Sequence, residues 1–169
     1  VEELADLRCA VSEAVTNCIV HAYRHLPRGE AGMVYISARL YDSREITVEI
    51  SDNGCGMSAE ELETNLGTIA KSGSFDFKRE GHGGDDVDII GQFGVGFYSA
   101  FMVSDHITVT SRAFGSDEAW CWESSGADGY TMTECDKETA GTDIILKLKA
   151  DTEDEDYSKY LKSWELRSL

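Results

Sequence analysis

Glu13 and Asn17 stand four residues apart in the opening segment VEELADLRCAVSEAVTNCIVHAY. On a helix that spacing puts both side chains on one face. Asn17 falls among apolar residues, so its side-chain carbonyl could face inward. A polar helix edge would show the same letters. The sharper reading gives Asn17 a Mg²⁺ ion, a hard cation that takes oxygen ligands and bridges to substrate phosphates. Glu13, one turn away, would then be the base that orients an attacking water.

Asp52 follows a strand-like run in which Ile46, Val48 and Ile50 alternate inward, so its carboxylate is expected to point inward as well. The stretch DNGCG (52–56) could be a plain turn. An inward carboxylate beside backbone stripped of side chains also has a specific use. It accepts from the exocyclic amine of adenine, while Gly54 and Gly56 let the purine lie against the chain. Guanine offers an oxygen at that point and would be rejected by unpaired acceptors. Thr142, behind Gly141, is either an ordinary strand threonine or a second polar contact to the base. Cys55, flanked by two glycines, is expected to react with thiol reagents in an empty pocket and more slowly with nucleotide present.

The run DIIGQFGVGFYSAF (88–101) spaces Gly91, Gly94 and Gly96 just before a helix-like segment. Such a loop turns several N–H groups and a positive helix end towards one point. It is neither a Walker A loop nor the dinucleotide GxGxxG, and alone it could be a tight strand-to-helix turn. Combined with the other two blocks it completes a set: metal and base from one helix, base recognition from one turn, phosphate binding from one glycine loop. Lys71 would add a positive charge near phosphate, or is simply solvated.

The 169 residues fit one domain of ordinary size, with 41% hydrophobic residues for a core. A net charge of −17 argues against nucleic acid and anionic membrane as partners. It leaves room for one small anion held by backbone N–H groups. Five cysteines without a CxxC pair fit neither a disulfide framework nor a zinc site, so a reducing cytoplasm is expected. No apolar run has membrane length. The chain opens at Val1 and stops at Leu169 in mid-pattern, as a piece of something longer would.

The elements that must position these groups follow from periodicity. Residues 1–23 predict an amphipathic helix ending near HLPRGEAG. Residues 33–40 and 45–51 predict a β-hairpin, with Val34, Ile36, Ala38 and Leu40 on one face. Ser58 caps a helix with acids in its first turn. Residues 67–87 show no period. A helix follows the glycine loop, then strands at 106–113, 118–124, 130–135 and 142–149, then a last helix. The sum is an α+β sandwich, a mostly antiparallel sheet with helices on one face.

In this order the three blocks resemble the ATP-binding fold of Hsp90 chaperones, type II topoisomerase B subunits, mismatch-repair MutL proteins and sensor histidine kinases, the GHKL or Bergerat two-layer sandwich. From Asp52 onward, DNGCGMSAEELETNLGTIAKSGS, IGQFGVGFYSAFMVSDHITVTSRA and YLKSWELRSL are similar to the N-terminal domain of bacterial Hsp90, over about two thirds of the chain. Residues 1–51 are more similar to sporulation anti-sigma factors, serine kinases on the same fold. The chain therefore looks like a single 1–169 domain of hybrid character, joined at the DNG turn. The resemblance implies Glu13 as water-activating base, Asn17 as Mg²⁺ ligand, and Asp52 and Thr142 at adenine, with Gly56 and Met57 lining its pocket. Asn65 and Lys71 would lie near ribose and phosphate. Gly91, Gln92, Phe93, Gly94, Val95, Gly96 and Phe97 would wrap the phosphates, and residues from about 67 to 90 would form a lid.

Two departures bear on lid closure and on strand-exchange dimerisation: Val20 stands where Asp is usual, and residues 1–169 do not include the strand that precedes this helix in Hsp90. Nor do they include the middle domain that in Hsp90 supplies an arginine to the γ-phosphate. The expectation is therefore ATP/ADP and Mg²⁺ binding with weak hydrolysis, by a monomer or weak dimer, with protein clients or co-chaperones as partners. The alternatives are a protein serine kinase, in which Glu13 activates a substrate hydroxyl, and a nucleotide-binding hybrid without turnover.

Overall fold

The computed structural model describes residues 2–23, 31–41, 45–67, 97, 99–126 and 129–150. Helix α1 (Glu2–Asn17) runs directly into a π-helical turn (Cys18–Ala22). Strands β1 (Val34–Tyr41) and β2 (Glu45–Asp52) form the expected hairpin. Helix α2 (Ala59–Leu62) continues as a second π turn (Glu63–Gly67). Its start is a capping box: the Glu61 N–H donates to Ser58 Oγ at 3.3 Å, and the Ser58 N–H donates to Glu61 Oε2 at 2.8 Å. Helix α3 (Ser99–Val103) leads into β3 (Ser104–Arg112), followed by β4 (Ala119–Ser124), β5 (Thr131–Cys135) and β6 (Gly141–Leu148). The expected terminal helix, and the lid apart from Gly67, lie outside the described residues.

The six strands make one antiparallel sheet in the order β1-β2-β6-β3-β4-β5. Its inner face is apolar because β2, β3 and β6 alternate. Ile50, Ile144 and Val109 form one row across the three strands, and Val48, Leu146 and Ile107 the next. Leu7, Ala10, Val11 and Ala14, at helical spacing on α1, and Cys18 at the start of the π turn cover these rows. Each buried Leu or Ile contributes roughly 1.5–3 kcal/mol relative to exposure. Trp122 is fully buried, edge-on to Phe101 and stacked on Tyr130 at 5.9 Å. The outer face is polar, with pairs such as Lys147–Glu45 at 2.8 Å, as expected for a sheet wet on one side.

The expected face of β1 holds: Val34, Ile36, Ala38 and Leu40 all lie on the inner side, and Val34 and Ala38 pack against the core. Ile36 and Leu40 share that face with Ile50 and Ile46, yet on this edge strand they are 49% and 45% exposed. Alternation reports which side a residue takes, not whether anything covers that side.

Candidate functional site

Three inward rows of the sheet end in polar residues at the same place. β2 runs Ile46, Val48, Ile50 and then Asp52. β3 runs Ile107, Val109 and then Ser111. β6 begins with Thr142 before Ile144 and Leu146. Ser111 pairs with Thr142 in the register, and Asp52 lies one step beyond the Ser51–Asp143 pair, opposite Thr142. All three side chains are buried, Asp52 at 6% exposure and Ser111 at 0%. Burying a polar group is costly unless it is hydrogen-bonded, so the partners of this row define what it can still do.

Asp52 has a partner on each oxygen. The Gly54 N–H donates to Oδ1 at 2.8 Å, and the Cys18 thiol donates to Oδ2 at 3.3 Å. A carboxylate has about four lone-pair positions, so each oxygen can accept again. Burial, reinforced by the Asp52 charge and by this hydrogen bond, pushes the Cys18 thiol up to about 12. Cys18 is therefore a neutral donor at ordinary pH. Ser111 accepts from the Met57 N–H at 2.8 Å, lies 2.9 Å from the Thr142 hydroxyl, and donates to the Gly141 carbonyl at 3.2 Å.

The DNGCG turn is clamped from two sides. The Cys55 N–H donates to the Ala22 carbonyl at 2.7 Å, and the Phe114 N–H donates to the Cys55 carbonyl at 2.7 Å. A Cβ on Gly54 would stand 2.5 Å from the Ala22 carbonyl oxygen. Gly56 has φ +61°, and a Cβ there would stand 1.9 Å from the Arg112 carbonyl oxygen. These two glycines thus have a packing reason: the turn presses on the end of the first helix and on the end of β3. Gly141, at φ +122°, does the same against the Asp52 carbonyl, at 2.2 Å from a notional Cβ.

The predicted residues divide into four groups. The structure brings together Asp52, Gly56, Met57 and Thr142, with the end of α1 held over them through Cys18. Glu13 and Asn17 are half-buried one turn apart on that helix, and the Asn17 side chain makes no capping hydrogen bond at the π turn. Asn65 is exposed, with its amide 3.7 Å from Met57 Sδ, and the Phe97 side chain is buried in the core. Lys71, Gly91, Gln92, Phe93, Gly94, Val95 and Gly96 lie outside the described residues. A hollow of about 300 Å³ lined by Arg39, Thr47, Glu49 and Ile145 lies on the outer face, away from this cluster.

Cys18 and Ser111 are the functional candidates that sequence reasoning missed. Both were legible in principle: Cys18 continues the Leu7, Val11, Ala14 stripe, and Ser111 continues the Ile107, Val109 alternation.

An antiparallel sheet backed by helices, with a buried carboxylate at a glycine turn, is the architecture expected from the sequence, and the family match gives it a class. Residues 3–152 match the family described as histidine kinase-, DNA gyrase B-, and HSP90-like ATPase, and the chain belongs to that family. It is 58% identical over 128 residues to the chaperone protein HtpG of Clostridium acetobutylicum and 58% identical over 128 residues to that of Bacillus subtilis. The same protein of Bacillus velezensis is 56% identical over 128 residues. Each alignment covers 76% of this chain and 20% of the relative, so the chain spans about a fifth of the length of the curated relatives it matches. Within the family it is an ATP-binding domain of the Hsp90 type.

Proposed function

We propose that this chain binds ATP and ADP with Mg²⁺ through the Asp52 cluster, and that it is the nucleotide-binding part of a bacterial chaperone ATPase acting on protein clients. The observation that carries the reading is Asp52, a buried carboxylate held by Gly54 and Cys18, with acceptor capacity left over beside Thr142. Such a group recognises the amine of adenine and opposes the carbonyl of guanine.

Asn17 suits Mg²⁺, since its carboxamide oxygen is a hard donor and makes no capping bond. Among the described residues no three His, Cys, Asp or Glu side chains gather to hold a metal. A single protein oxygen is consistent with an ion held mainly by phosphates and water. The bound ion would neutralise phosphate charge. Glu13, one turn back on α1, would orient the attacking water. Hydrolysis by the chain alone is expected to be weak. Residues 52–169 carry the Hsp90-like share of this reading and residues 1–51 the anti-sigma-kinase-like share, in a cytoplasmic protein that is a monomer or weak dimer.

Titration calorimetry with ADP and Mg²⁺ tests the proposal. Asp52→Asn should weaken binding by about 1–3 kcal/mol, because an amide donor then faces the amine. Equal affinity in the two proteins removes Asp52 from the site. Labelled ATP incubated with the chain should release free phosphate slowly, whereas label transferred to an anti-anti-sigma-type protein would support a serine kinase.

A further inference from the structure

Ser111 is completely buried, and its three contacts use its hydroxyl to capacity. A serine hydroxyl has one hydrogen to give and two lone pairs to receive. Its hydrogen goes to the Gly141 carbonyl at 3.2 Å, and one lone pair takes the Met57 N–H at 2.8 Å. At 2.9 Å either hydroxyl could donate to the other, and with the Ser111 hydrogen given to Gly141 the donor is Thr142. The Thr142 hydroxyl then has no hydrogen for a ligand and shows it lone pairs alone. Asp52, as a carboxylate, also shows only lone pairs.

These two acceptors sit on the same face of neighbouring strands, opposite one another. Opposed residues in such a pair are direct neighbours on one face of the sheet. Two acceptors placed in this way can receive both hydrogens of one exocyclic amine, whereas a carbonyl placed there would meet lone pairs on both sides.

We propose that Ser111 is a positioning residue that sets base specificity: it holds Thr142 as a fixed acceptor, so that the pair Asp52 and Thr142 selects a purine bearing an amine over one bearing a carbonyl. The proposal rests on the nucleotide-binding reading above. Without Ser111 the Thr142 hydroxyl can turn its hydrogen outward and accommodate the carbonyl.

The experiment compares affinities for ADP and IDP, whose bases differ in carrying an amine or a carbonyl, by titration calorimetry with Mg²⁺. The original chain should prefer ADP. Ser111→Ala should lower the ADP-to-IDP preference by about tenfold, the discrimination expected of one hydrogen bond reversed. Ser111→Thr, which keeps the hydroxyl, should retain the preference. In a Thr142→Val background, Ser111→Ala should leave the preference where Thr142→Val alone puts it. Ser111→Cys, closer in volume, serves if the alanine variant does not fold, and it should also lose preference. A preference unchanged by Ser111→Ala or Ser111→Cys overturns the proposal. So does a change that persists without the Thr142 hydroxyl, since that would be structural. Absence of any ADP binding by the original chain would sink the underlying reading instead.

Discussion

Burial of the Cys18 thiol, reinforced by the neighbouring Asp52 carboxylate, makes the turn after α1 sensitive to alkali. In the unfolded chain Cys18 ionises around its ordinary value of 9.0, and in the folded chain at about 12. Below pH 9 the thiol is neutral in both states, and its contribution to stability is fully present. As pH rises from 9 through about 12 the unfolded state loses its proton first, so that contribution is lost over this window. Urea unfolding at pH 8 and pH 10.5 should therefore show a larger fall for the original chain than for Cys18→Ala, and equal falls would contradict a thiol held protonated chiefly by burial, with the Asp52 carboxylate adding to the effect. The sequence displayed Asp52 through the alternation of β2. It did not display that Cys18 and Ser111 complete the polar row. A cysteine on an apolar stripe and a serine in a strand each read as ordinary packing until another strand's partner is known.

At the scale of elements, the glycines show how spacing can be legible while its cause is not. DNGCG announced a tight turn, and the sequence could not say against what. The backbone of Arg112, 56 residues further on, is what Gly56 must avoid. Gly56→Ala should destabilise the domain by at least about 2 kcal/mol, the left-handed conformation costing 1–2 kcal/mol for an L-residue before any clash. Gly115→Ala is the matched control. Gly115 also has a positive φ, +80°, but its Cβ would meet nothing within 4 Å. Its cost should stay near the conformational part alone, and equal losses for both variants by thermal melting would refute the packing account. The helices were legible from their periodicity and from the Ser58 cap. Their continuation as π turns was not, since no local pattern in the sequence marks it.

For the whole molecule, the antiparallel sheet with helices on one face was legible from strand count and alternation. The strand order was not, since it places β6 between β2 and β3 through pairing that no local pattern encodes. A net charge of −17 on 169 residues implies appreciable self-repulsion in the compact state. Raising NaCl from low to moderate concentration should increase the melting temperature of the unliganded chain by a few degrees, and a decrease would show that specific ion pairs outweigh the overall field.

β6 also inserts between its neighbours under a tight constraint. A slip of one position would carry Asp143 into the core face and Thr142 out of it, and would drive a side chain into the space that Gly141 leaves beside Asp52. On the proposed nucleotide-binding reading, misthreaded chains would lose ligand recognition in the same step that turns the Asp143 charge towards the core. Retention on an immobilised adenine nucleotide would then sort correctly assembled molecules from compact impostors, a quality check inherent in the architecture.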